Sequence, residues 1–233
     1  MAEALLWGAI GASSLVIGAL LGLAREWPKV WIGVVLAFGA GALISAVSFD
    51  LAEEGAQAGG YDTLALGLGA GALTYFSLDW LIDRSSSGGD DAGTSLALGA
   101  FLDGIPEQMV LGIGLAAGEG VGMSLLVAIF VSNLPEAIGS VSSMREEGRR
   151  TSFILGLWGV TAVVVTAATV VGYLLADVTG GELKAAVNGF AAGALLVMLV
   201  DSMIPSAYKD AGRSAGLVTV LGFAVGAALS GIS

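Results

Sequence analysis

The stretch "FLDGIPEQMVLG", residues 101–112, places two carboxylates and a proline inside an apolar run that extends from about 94 to 117. A run of this length can cross the hydrocarbon core of a bilayer. Asp103 and Glu107 are four residues apart, so they share one face of a helix. A charge at the bilayer centre costs roughly 2.5–3.5 kcal/mol, and the sequence offers no Lys, Arg or His at a similar depth. We therefore expect protons or bound cations to neutralise these carboxylates.

The composition of the chain is that of a polytopic membrane protein. Of its 233 residues, 56% are hydrophobic and only 12% are charged, whereas a soluble domain of this size needs more polar surface. The net charge of −11 excludes a nucleic-acid-binding protein, which would carry a basic face. The absence of cysteine excludes disulfides and thiolate metal sites.

Eight apolar runs predict an all-α polytopic membrane protein, a single domain over residues 1–233 with eight transmembrane helices. The runs lie near 4–24, 30–52, 61–82, 94–117, 121–143, 152–175, 183–206 and 214–232. Eight of the nine basic residues fall in odd-numbered loops, and only Lys184 falls in an even-numbered one. Because short cytoplasmic loops carry the excess of Lys and Arg, both termini are predicted to lie outside.

Spans two and seven share a sequence pattern that indicates an inverted repeat. "FGAGALI" at 38–44 is followed by Asp50, and "FAAGALL" at 190–196 is followed by Asp201. The two predicted spans run in opposite directions, as in transporters that place a site between halves near the midplane. A chance similarity of Gly/Ala-rich helices is the alternative, since "GAGAL" recurs at 69–73.

A second proline–glutamate turn, "SNLPEA" at 132–137, matches the first. Ser132 and Glu136 share one helix face, with Asn133 three residues before the glutamate. Each proline withdraws a backbone donor and frees a carbonyl one turn earlier. We predict that the two turns form one pocket of oxygen ligands for divalent cations, completed by Asp201. Protonated acids that bond neighbouring helices are the alternative.

At these residues the chain resembles the ZIP family of zinc/iron-regulated divalent-metal transporters, over essentially its whole length. The family's H-N-x-P-E-G turn of the fourth span reads "DGIPEQ" at 103–108, and its x-x-x-P-E turn of the fifth reads "SNLPEA". "GALLVMLVDSMIP" at 193–205 resembles the family's segment with an acidic ligand before a proline. The family also has a polar loop between spans three and four, here 83–93.

The resemblance implies a two-metal site. Glu107 and Glu136 would be the bridging carboxylates, with Asp103, Asn133 and Asp201 as terminal ligands. The full candidate set is Asp103, Glu107, Gln108, Ser132, Asn133, Glu136 and Asp201. The family's path to the site also uses the second span, where Ser45 and Ser48 are the nearest polar residues. Asp50 and Glu53 could concentrate cations at an outer entrance, or form an ordinary solvated helix end.

The sequence departs from the family at the ligand turn. Asp103 stands in place of its histidine and Gly104 in place of its asparagine, so a single-metal site is an alternative. The chain contains no histidine at all. All-oxygen ligation suits Mg²⁺ and Mn²⁺ better than Zn²⁺, although zinc accepts carboxylates.

The sequence thus predicts a carrier, not an enzyme, that moves divalent metal towards the cytoplasm by alternating access. Its expected substrates are Zn²⁺, Mn²⁺, Fe²⁺, Cd²⁺ or Mg²⁺, without an organic cofactor. We expect a multi-pass protein of a prokaryotic plasma (inner) membrane, in contact with lipid and metal ions, and the resemblance implies a homodimer. A cation or proton channel with the same carboxylates, or a metal-sensing protein without transport, are the alternatives.

Overall fold

The computed structural model describes residues 1–85, 92–116, 123–176 and 180–231. The side chain of Asp103 and the centre of the polar connection between the third and fourth runs lie outside the described residues. Regular structure within the described ranges is entirely helical. The prediction of an all-α protein is confirmed.

The helices follow the predicted apolar runs closely. They are α1 (Ala2–Ala24), α2 (Lys29–Ala46), α3 (Glu54–Gly59), α4 (Tyr61–Ser85), α5 (Ala92–Ala116), α6 (Met123–Glu146), α7 (Thr151–Ala176), α8 (Gly181–Met198), α9 (Ile204–Ala211) and α10 (Ser214–Ser230). π-helical segments join α2 to α3 at Val47–Glu53 and α8 to α9 at Leu199–Met203. Spans two and seven therefore continue as helix beyond their predicted limits.

Six helical stretches in the described part of the chain are long and apolar enough to cross a membrane. They are Ala2–Ala24, Lys29–Gly59, Tyr61–Leu81, Leu125–Glu146, Thr151–Leu175 and Gly181–Ala211. A helix suits lipid because it satisfies its own backbone hydrogen bonds. The last helix, α10, is also apolar but shorter. The count of eight spans and the placement of both termini outside stay predictions.

Within the described residues, the long helices pack in two groups of four. In the first, called the α2 group, α2 packs along α10 and α4 packs along α8, with α3 and α9 attached. In the second, called the α5 group, α1 packs on α6 and α7, and α5 packs on α6 and α7. A separate apolar core that includes Leu15, Val141 and Trp158 lies within the α5 group. Contact between the groups is most extensive where α2 meets α6.

The α2 group contains two matching halves. The stretches Lys29–Gly59 and Gly181–Ala211 each have 31 residues and each contain a π-helical segment. Each is followed by a glycine with positive φ, Gly60 at 84° and Gly212 at 61°, a backbone conformation that other residues adopt at a cost.

The two halves of the α2 group also match in where their helices pack closely. A Cβ on Gly71 of α4 would overlap the Phe190 carbonyl of α8, and a Cβ on Gly222 of α10 would overlap the Phe38 carbonyl of α2. The two phenylalanines begin the matching "FAAGALL" and "FGAGALI" patterns. Small residues at these crossings allow the backbones of spanning helices to touch.

Candidate metal site

A cavity of about 940 Å³ opens between the two helix groups. Its lining includes the C-terminal half of α6, the second π-helical segment and α9, together with the adjoining ends of α2, α4 and α5. Along α6 the lining runs from Pro135, near the middle of the helix, to Glu146 at its end. At 1.5 Å per residue this is a depth of about 16 Å. The cavity thus connects a helix end with the proline–glutamate turn.

One wall of the cavity is a polar stripe on α6. Glu136, Ser140 and Ser143 line it at spacings of four and three residues, which places them on one helix face. Glu136 is half-buried and Ser140 is fully buried. The two serines were missed in the sequence, although their spacing from Glu136 is a signal that could have found them.

The opposite wall is formed around the second π-helical segment. Asp201 and Ser202 belong to this segment, and Ser206 follows on α9. Asp79 of α4 lines the same cavity. Single π-helical turns inside α-helices are frequent at functional sites. The structure therefore brings Asp201 to the same cavity as Glu136.

The charges of the cavity lining are predominantly acidic. Among the described residues, six carboxylates line it, against the three basic residues Lys29, Arg145 and Lys209. Arg145 donates a hydrogen bond from Nη1 to the Gly22 carbonyl, at 2.9 Å, near the C-terminus of α1. Cationic side chains are favourable at that end of a helix because they pair with its last carbonyls. The acidic excess favours cations inside the cavity.

Glu107, Ser132 and Asn133 are buried and do not belong to the cavity lining. Ser132 donates a hydrogen bond to the Ile129 carbonyl at 3.1 Å, within its own helix. The Asn133 amide nitrogen has no hydrogen-bond partner among the described residues. Of the predicted ligands, Glu136 and Asp201 thus line the cavity, while these three lie in packed interior.

Gln108 lies in a different place from the other candidates. Its Oε1 accepts a hydrogen bond from Thr169 Oγ1 of α7 at 2.6 Å. Its side chain is fully buried, and the cavity lining does not include it. Gln108 therefore lies at an interface within the α5 group.

The described carboxylates alone do not form a metal cluster. No group of three acidic side chains in the described part of the chain could hold one ion. Asp103, the predicted companion of Glu107 on α5, lies outside that description. The complete predicted ligand set therefore stays a prediction.

The predicted entrance residues lie on α2 and the first π-helical segment, and none of them lines the cavity. Asp50 is half-buried, and Glu53 is exposed. Ser45 is fully buried, and its hydroxyl oxygen has no hydrogen-bond partner among the described atoms. Ser48 is exposed and donates to the Ile44 carbonyl at 2.8 Å.

The chain is similar to a plant protein. That protein, from Arabidopsis thaliana, is provisionally named a zinc transporter. It is 28% identical to this chain over 214 residues. The match covers 87% of this chain but only 34% of the relative, so the chain spans about a third of its length. No family model matches the chain.

Proposed function

We propose that the protein is a ZIP-like carrier that moves divalent metal ions across the membrane towards the cytoplasm. The observation that carries the proposal is the acidic cavity that leads from a helix end to Glu136, halfway along α6. The name of the plant relative supports metal as the substrate. An intramembrane carboxylate is costly and is a mark of an ion pathway.

Glu107 and Glu136 are the core ligands in this proposal. Each follows a proline inside a long helix. Asp103, Asn133 and Asp201 complete the coordination. Ser132 supplies a further oxygen in the two-metal arrangement. Ligation by oxygen, without histidine or cysteine, suits hard divalent cations.

The cavity opens to the cytoplasm in this proposal. Its lining includes Lys29, Arg145 and Lys209, which belong to the odd-numbered loops. The excess of Lys and Arg marks those loops as cytoplasmic and places both termini outside. In this proposal the protein has eight spans, and the cavity belongs to an inward-facing state.

Alternating access follows from the grouping and the repeat. We treat the matching halves of the α2 group as parts of an inverted repeat that covers the single domain. Movement of the α5 group against the α2 group would close the present cavity and open one near Asp50, the counterpart of Asp201. The ZIP resemblance supports this division and also a homodimer in the plasma membrane.

Saturable uptake of several divalent metals by proteoliposomes is the expected result for a carrier. Because the proposed ligands are oxygens, the site should discriminate little between Mn²⁺ and Zn²⁺. The Mn²⁺ concentration that inhibits Zn²⁺ uptake should lie within about tenfold of the Zn²⁺ concentration that inhibits Mn²⁺ uptake. Competition with Fe²⁺, Cd²⁺ and Mg²⁺ completes the series. A tight Zn²⁺ site that excludes Mn²⁺ would contradict all-oxygen ligation. Currents too large for a carrier would favour a channel.

Thiol labelling tests the orientation of the cavity without background, because the chain has no cysteine. A Ser143→Cys variant should react with a membrane-impermeant reagent only from the cytoplasmic side, since Ser143 lines the cavity. A Gln57→Cys control, in an exposed position of α3, should react only from outside. Labelling of the two variants from the reverse sides would overturn the assigned orientation.

A further inference from the structure

A buried polar pair joins α5 to α7 directly beside the predicted ligand Glu107. Thr169 Oγ1 donates to Gln108 Oε1 at 2.6 Å, and both side chains are fully buried. On α1, a Cβ at Gly8 would lie 2.7 Å from Thr169 Oγ1, and one at Gly11 would lie 2.6 Å from Gln108 Nε2. The three helices are thus fitted closely around this pair.

The α1–α6 interface provides a counterpart to the α5–α7 interface. A Cβ on Gly172 of α7 would meet the Met109 carbonyl of α5, and one on Gly22 of α1 would lie 3.2 Å from the Ile138 carbonyl of α6. Both carbonyls belong to the third residue after the helix proline. The two interfaces can therefore be compared residue by residue.

At the counterpart of the polar pair, the chain has two alanines. Ala137 follows Pro135 by two residues, as Gln108 follows Pro106. Ala19 precedes Gly22 by three residues, as Thr169 precedes Gly172. Both alanines are fully buried in the core of the α5 group. Packing at this position therefore does not require polar side chains.

The polar pair is a costly way to fill the interface. Burying an amide and a hydroxyl requires desolvation, and one hydrogen bond offsets only part of it. The Gln108 Nε2 atom has no partner among the described residues, so part of the cost remains. A gain in stability does not explain why α5 and α7 carry these residues where α6 and α1 carry alanine.

The position of the pair supplies an explanation. Pro106 removes one backbone hydrogen bond from α5, so the rotation of the following turn is less restrained by the helix itself. Successive residues of a helix are about 100° apart, so a fixed direction for Gln108 also fixes that of Glu107. We propose that Gln108 and Thr169 form a positioning pair that sets the orientation of Glu107 towards the metal ion. This inference rests on the proposed function.

A double-mutant cycle on the full-length protein in proteoliposomes tests the pair, with Mn²⁺ as the probe. Thr169→Val and Gln108→Met should each raise the KM for Mn²⁺ about three- to tenfold, the equivalent of one lost hydrogen bond. The maximal rate should change less than twofold. The double variant should be no worse than either single variant, because the pair acts as one unit.

Two further variants separate positioning from general packing. Thr169→Ser retains the hydroxyl and should restore the KM to within about twofold of the original. Thr166→Val removes a comparable hydroxyl on the same helix, bonded to the Ala162 carbonyl at 2.7 Å, and should leave the KM unchanged. Thr169→Ala replaces Thr169→Val in the cycle if the valine variant does not fold.

Additive effects of the two substitutions would overturn the positioning pair. A raised KM in Gln108→Met with a normal KM in Thr169→Val would also overturn it and would assign Gln108 as a ligand. Glu107→Gln separates this inference from the proposed function. If Glu107→Gln abolishes Mn²⁺ binding while the pair variants behave normally, only the positioning role fails. Unchanged Mn²⁺ binding in both Glu107→Gln and Glu136→Gln would remove the proposed function itself.

Discussion

Replacing Glu136 by glutamine is expected to lower the uptake of divalent metal by about 100-fold. Glutamine has nearly the same size and removes the charge, so packing around Pro135 should persist while the ion loses a carboxylate ligand. Substitution of residues that only orient the ligands typically lowers metal affinity or activity by about 10- to 100-fold. The loss of a core ligand should therefore lower uptake by an amount near the upper end of that range. Initial rates of Mn²⁺ and Zn²⁺ uptake in proteoliposomes are the measurement.

Glu107→Gln should cause a loss of similar size, because the proposed site uses one glutamate from each proline-containing helix. Glu146→Gln is the matched control. Glu146 lies on the same helix and lines the same cavity as Glu136, but it lies about 15 Å away along the helix. Metal uptake by the Glu146→Gln variant should remain within about twofold of that of the unsubstituted protein. Normal uptake in both glutamate variants of the proposed site would remove it as the site of transport.

The helices could be predicted because lipid imposes one simple requirement. Each apolar run must satisfy its backbone internally, so the runs indicate where the helices lie, although spans two and seven continue as helix beyond their runs. The π-helical segments could not be predicted in this way. The sequences of Val47–Glu53 and Leu199–Met203 continue the apolar pattern of the preceding helices apart from their acidic residues, so the local pattern does not reveal the π-helical turns. Asp50 and Asp201 lie in these two segments and are visible in the sequence, but they do not indicate that the backbone there is π-helical.

The candidate site, too, could be predicted only in part from the sequence. The position of Glu136 inside the fifth apolar run indicated its depth, and the structure places it on a cavity wall. Gln108 follows Glu107 directly and belongs to the predicted ligand set. Its contact with Thr169 joins residues far apart in the sequence. Such a contact depends on which helices are neighbours, and local spacing does not specify neighbours.

The crossing of α5 and α7 is a place where a single added methyl group should destabilise the protein. A Cβ on Gly112 would overlap the Thr169 carbonyl and lie 2.8 Å from the Tyr173 amide nitrogen. Both atoms belong to backbone, so neither can move without shifting α7. Gly172 makes the reciprocal contact with the Met109 carbonyl. We expect Gly112→Ala to destabilise the protein by about 1–3 kcal/mol, the usual cost of overpacking.

Gly114→Ala is the control, because it makes the same chemical change two residues further along the same helix. Apart from the neighbouring backbone of its own helix, a Cβ on Gly114 would meet no described atom within 4 Å. Alanine is favoured over glycine in a helix by about 1 kcal/mol, so this variant should be neutral or more stable. Thermal unfolding in detergent, followed by tryptophan fluorescence, compares the two. Equal stability of the two variants would mean that α5 and α7 do not pack as closely as the structure shows. Weaker metal uptake should accompany the reduced stability of Gly112→Ala, since the proposed orientation of Glu107 depends on the packing of α5 against α7.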